Sequence, residues 1–123
     1  MSGTSLFLDT NIVLYLLAGD KTLAEMLNDK SIYVSFITEM ELLSYKQLNT
    51  VEETRINSFL KDALIVDMSS PIKRKAVAIR KSTGMKLPDS IIAASSIHLG
   101  IPLLTADSGF SKVKSLDYLY YQK

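Results

Sequence analysis

At 123 residues and 13.7 kDa the chain has the size of a single domain, since domains cluster at ~100–150 residues, and we expect one unit over residues 1–123. Hydrophobic residues make up 47% and charged residues 22%, which excludes disorder; the absence of cysteine excludes a disulfide scaffold, a thiol nucleophile and a thiolate zinc site, and a lone histidine (His98) excludes a His-rich metal centre. With 14 basic and 13 acidic residues the formal charge is +1, so no global field draws the chain to nucleic acid or to a membrane.

The N-terminus, Met1-Ser2-Gly3-Thr4-Ser5, has no basic leader, and the apolar stretch after it is interrupted by Asp9 and Asn11. We therefore expect neither a signal peptide nor a membrane span, and a cytoplasmic protein. Ser5-Leu6-Phe7-Leu8 reads as a short buried strand. Asn11 to Leu17 resumes at helical spacing with Ile12, Tyr15 and Leu16 inward. Asp20 is a candidate N-cap for a helix to Leu27, with Leu23, Met26 and Leu27 inward. Ile32-Tyr33-Val34-Ser35 reads as a second strand, and Thr38 then starts a helix through Tyr45. Val51 to Ala63 places Ile56, Phe59, Leu60 and Ala63 on one helical face, and Leu64-Ile65-Val66 is a third strand. Ser70-Pro71 is an N-cap followed by proline at the first helical position, predicting a helix to about Ser82 that stops before Gly84. Pro88 opens another helix that ends at His98-Leu99-Gly100, where His98 can cap carbonyls and needs no catalytic role. Pro102 to Thr105 is a fourth strand, and Leu116 to Tyr121 a last one with Tyr118 and Tyr120 on one face.

Strands and helices alternate, and the strands are short and apolar. This predicts an α/β three-layer sandwich: a short, mostly parallel central sheet with helices on both faces. Ligands in such folds bind at the carboxyl ends of the strands. Acidic residues sit there. Asp9 follows the first strand, Glu41 lies in the first turn of the helix after the second, Asp89 lies in the first turn of the Pro88 helix, and Asp107 follows the fourth strand. If these junctions share one sheet edge, the carboxylates converge, and they stay ionised together only with cations between them. Hard oxygen ligands without His or Cys select Mg²⁺ or Mn²⁺, and a carboxylate-held metal pair is recurring machinery for in-line attack on a phosphodiester. Each acid has a plainer use as well. Thr38-Glu39-Met40-Glu41 fits a capping box, Asp9 could cap the first helix, Asp89 could complement a helix dipole, and Asp107-Ser108-Gly109 could be a turn.

Leu8-Asp9-Thr10-Asn11, Thr38-Glu39-Met40-Glu41-Leu42, Leu87-Pro88-Asp89-Ser90-Ile91-Ile92-Ala93-Ala94 and Leu103-Leu104-Thr105-Ala106-Asp107 together resemble, in order, the four signature blocks of the PIN domain family. The similarity spans nearly the whole chain and is nearest to the small VapC-type toxins of toxin–antitoxin pairs. It implies a Mg²⁺- or Mn²⁺-dependent endoribonuclease in which Asp9, Glu41, Asp89 and Asp107 are the metal-binding, catalytic acids. Asn11, Thr105 and Thr38 are implied to orient them. It further implies a homodimer and an antitoxin partner seated in an apolar groove, for which the helices at Ile12–Leu17 and Val51–Leu60 are candidates. One departure stands out: where the family often has another acid two residues past Asp107, this chain has Gly109, ahead of Phe110.

Lys73, Arg74, Lys75, Arg80, Lys81 and Lys86 fall between Asp67 and Asp89 with no acid among them. Lys86, three residues before Asp89, is the leading candidate for contact with RNA phosphate, and Lys46 a weaker one. Lys73 to Lys81 also fit a solvated helix face. Two rivals remain at this level. One is a non-catalytic PIN-fold scaffold for RNA or protein. The other is an α/β phosphatase or phosphoacceptor domain using Asp9, which would require an early acidic pair where this chain has Asn11.

Overall fold

In a computed structural model describing residues 4–123, five strands form one sheet in the order β3-β2-β1-β4-β5, every neighbouring pair parallel. Met1 to Gly3, part of the N-terminus read for a targeting signal, lie outside the described residues. The strands are β1 (Ser5–Leu8), β2 (Ser31–Ser35), β3 (Leu64–Val66), β4 (Leu103–Thr105) and β5 (Tyr118–Tyr120). The helices are α1 (Thr10–Leu17), α2 (Lys21–Leu27), α3 (Phe36–Leu43), α4 (Thr50–Asp62), α5 (Ser70–Thr83) and α6 (Leu87–Leu99), with a 3₁₀ turn at Ser108–Lys112. The expected three-layer α/β sandwich is the observed one.

Alternation along the strands creates two cores. Phe7 and Leu103 point to one face, against Ile72, Ala76 and Ile79 of α5 and Ile92 of α6. Leu6, Leu8 and Leu104 point to the other, against Ile12 and Val13 of α1, Leu23 of α2 and Ile56 of α4. Each large apolar side chain fully removed from water contributes ~1.5–3 kcal/mol, which is why a four-residue strand suffices here. The α6 helix is buried from Ser90 through Ser96. Its small residues let it pack closely, and it shows no amphipathic stripe. Proline near its start and Gly100 at its end (φ 66°) define it instead.

Several local expectations are corrected. The α3 helix begins at Phe36, because the Ser35 hydroxyl accepts the Ile37 N–H at 3.0 Å and β2 runs straight into the helix. Thr38 is therefore an interior, fully buried residue, and Glu41 lies beyond the first turn and forms no capping box. The capping box of this chain is at α4, between Asn49 and Glu52. The N-cap of α5 is Ser69 rather than Ser70. Met26 is 40% exposed, since α2 is held by Leu23 and Leu27 alone. The last strand keeps only its three central residues, Tyr118–Tyr120.

Connection order matters for function. From β1 the chain moves outward to β2 and β3 on one side, and later returns to β4 and β5 on the other. The boundary between β1 and β4 is thus the switch point of the sheet, where neighbouring connections diverge and leave a crevice at the strand ends.

Candidate active site

Asp9 and Thr105 end the two strands that flank this crevice, and a hydrogen bond joins them across it. The Thr105 hydroxyl donates to Asp9 Oδ2 at 2.8 Å, and the Thr10 N–H donates to Oδ1 at 2.8 Å. Asp9 therefore does cap α1, but with one oxygen only. It is 4% exposed, and burial pushes its pKa up to about 6. The two hydrogen bonds oppose that rise, while Asp89 and Asp107 add to it through like-charge repulsion. No cation is among the groups acting on it.

The same Thr105 hydroxyl oxygen accepts the Asp107 N–H at 3.0 Å, fixing the turn that carries Asp107. One Asp107 oxygen accepts the Gly109 N–H at 2.8 Å, as the plain turn reading required. Asp89, in the first turn of α6, has a raised pKa, first through burial and then through Asp107; Glu41 also raises it, and Lys86 opposes. Glu41 is exposed on α3, and its Oε1 accepts the Thr10 hydroxyl at 2.7 Å. Thr10 and Thr38 hydroxyls lie 2.8 Å apart. An ionised Glu41 can only accept, so the Thr10 proton goes to Glu41 and Thr38 donates to Thr10.

All four predicted acids thus share one end of the sheet: Asp89 and Asp107 act on Asp9, and Asp107 and Glu41 act on Asp89. Thr105 and Thr38 join their hydrogen-bond network. Asn11 is exposed and is not among the groups bonded to Asp9. Lys86 stands close enough to act on Asp89, whereas Lys46 lines a separate cleft with Glu53 and Asn57. Sequence reasoning missed Thr10, which ties Asp9 to Glu41 through its amide and its hydroxyl. Its position directly after a strand-terminal acid signals the amide contact to Asp9, not the hydroxyl contact to Glu41.

A sequence profile of the PIN domain matches residues 6–116. The chain belongs to the PIN domain family. The comparison with curated protein sequences finds no match. Among solved structures, this PIN domain is similar to VapBC2 from Rickettsia felis bound to a DNA fragment from their promoter, with TM-score 0.80 and 20% identity over 96% of this chain and 99% of that one. It is similar to a toxin–antitoxin complex from Klebsiella pneumoniae, with TM-score 0.77 and 28% identity over 90% and 94%. VapBC-1 from nontypeable Haemophilus influenzae matches with TM-score 0.75 and 21% identity over 94% and 97%. Membership sets aside the phosphatase and phosphoacceptor rivals.

The donor set of this PIN domain fits a hard divalent ion chemically: four carboxylates, one of them buried without a cation. Among the described residues no three of them already stand in metal-holding geometry. They interact through space, so gripping an ion requires their side chains to close inward. No helix among the described residues is long and apolar enough to cross a membrane.

Proposed function

We propose that this chain is a Mg²⁺- or Mn²⁺-dependent endoribonuclease, the toxin of a toxin–antitoxin pair. The observation that carries the reading is Asp9. A scaffold has no use for a buried carboxylate surrounded by other carboxylates, which costs stability in every metal-free molecule. A nuclease does, because a bound divalent ion would supply an acidified water and charge stabilisation at a phosphodiester.

Asp9 and Asp89 would hold the ion, with Glu41 and Asp107 completing the set. The residues around them have definable tasks. Thr105 and the Thr10 amide fix both oxygens of Asp9, so its carboxylate enters the site in one orientation. Thr10 holds Glu41 through one oxygen and leaves the other free. Lys86 offsets part of the negative charge beside Asp89 and would be the first cation a substrate phosphate meets there. His98, the only histidine of the chain, lies in the last turn of α6 while Asp89 lies in its first, so proton transfer falls to the carboxylates.

An antitoxin has a fitting surface. Leu14 and Leu17 of α1, with Leu48 and Ile56, line an apolar cleft of about 350 Å³ beside Glu52 and Arg55. This is the groove expected between the α1 and α4 segments, and the similar solved structures include a toxin–antitoxin complex. A homodimer remains part of the proposal. The reading is tested by incubating purified protein with single-stranded RNA and Mn²⁺. Cleavage lost in both Asp9→Asn and Asp89→Asn supports it, and cleavage retained in both defeats it. Growth arrest on induced expression, relieved by Asp9→Asn and by co-expression of a short neighbouring DNA-binding protein, tests the toxin assignment.

A further inference from the structure

Eight of the 14 basic residues fall within residues 73–86 and 112–114, and neither stretch contains an acid. The fold brings these stretches together. A cleft of about 590 Å³ lies between α5 and the segment after the 3₁₀ turn, with Lys75 on one wall and Lys112 and Lys114 on the other. Buried Ile79 and Val113 lie between them. Among the described residues no carboxylate and no aromatic side chain lines it. Ser82 and Thr83 both donate their hydroxyl protons to the Ile79 carbonyl, so lysine charge is what the cleft offers an anion.

Both walls lie close in sequence to acids of the site. Thr83 precedes Asp89 by six residues, and Lys112 follows Asp107 by five. That site repels a polyanion, and Lys86 is the one cation acting on Asp89. A net charge of +1 cannot hold RNA there by itself. A neighbouring anchor is required, and it must be local.

We propose that the Lys75–Lys112–Lys114 cleft is a second RNA-binding site, which holds backbone phosphates of a single strand beyond the cleavage point. With no ring to stack a base, it grips without reading sequence. The inference rests on the nuclease reading above.

The test is anisotropy of fluorescein-labelled single-stranded RNA, titrated with protein in EDTA at several KCl concentrations. For the triple variant Lys75→Gln, Lys112→Gln, Lys114→Gln, the slope of log K against log[KCl] should fall by about 2, at ~0.7 per lost phosphate contact. The double variant Lys112→Gln, Lys114→Gln should lose about 1.4 and guards against misfolding of the triple. A control of equal charge change, Lys21→Gln, Lys30→Gln, Lys61→Gln, should keep the wild-type slope. In Mn²⁺-supported cleavage the triple variant should raise KM and leave kcat unchanged. Unchanged slopes in both cleft variants overturn the proposal, as does an equal loss in the control. Failure of the wild type to cleave RNA would overturn the nuclease reading alone, since the cleft is judged by the metal-free slopes.

Discussion

Replacing Asp9 with asparagine should stabilise the metal-free protein, by an amount that depends on pH. The folded pKa is about 6 and the ordinary value 3.8. A raised acid pKa means the native state binds more protons than the unfolded state between those values. Stability therefore falls as pH rises from 3.8 to 6 and stays low above. At pH 7 the ionised group costs about 3 kcal/mol, at pH 5 about half that, and at pH 4 about 0.5 kcal/mol. Asparagine removes this cost. It keeps the carbonyl that accepts from Thr10, but its amide cannot accept the Thr105 proton, a loss of ~1 kcal/mol. The net gain is about 2 kcal/mol at pH 7, shrinking as pH falls and changing sign at about pH 4.5. Urea denaturation in EDTA from pH 4 to 8, wild type beside Asp9→Asn, measures it. A difference that is flat with pH, or a variant less stable at pH 7, would refute the electrostatic account of Asp9.

Asp89→Asn should leave the fold intact and reduce RNA cleavage by more than the ~10–100-fold that losing an outer partner of a metal ligand costs; a smaller drop in single-turnover rate removes it from the site. Thr10→Val deletes the hydroxyl that holds Glu41, so Mn²⁺ affinity by calorimetry should fall by roughly tenfold or more, and Thr10→Ser should restore it. Valine and serine variants of equal affinity would show that the contact positions nothing. Lys86→Ala should weaken RNA binding and flatten its salt dependence by ~0.7, and an unchanged slope would leave Lys86 a solvated surface charge.

The sheet was legible because buried parallel strands are continuous apolar runs, and Phe7-Leu8, Val34 and Leu103-Leu104 advertise themselves. Asp9 and Asp107 were legible because each closely trails such a run, Glu41 because it lies in the helix after β2, and Asp89 because Pro88 marks the start of its helix. What the sequence hid were choices among equivalent neighbours. Ser35 and Thr38 both suit an N-cap, and tertiary burial of Thr38 decides for Ser35. Ser69 and Ser70 differ by one place in the same way. Thr10 was hidden because its role depends on Glu41, 31 residues away, and no local pattern encodes that contact. Asn11 was the attractive polar neighbour of Asp9, yet the helical turn places it outward while Thr10 faces Glu41. The basic residues were visible in number, but their pairing across a cleft from two distant segments was not.

The central claim is that Asp9, Glu41, Asp89 and Asp107 together hold a divalent ion. Mn²⁺ titration monitored by thermal unfolding at neutral pH tests it most directly, because an ion bound only by the native state raises the transition temperature by an amount that grows with the logarithm of its concentration over its dissociation constant. The account predicts a concentration-dependent rise for the wild type that is lost in Asp9→Asn and in Asp89→Asn. A wild-type curve that does not move with Mn²⁺, or one that moves equally in both variants, would contradict it.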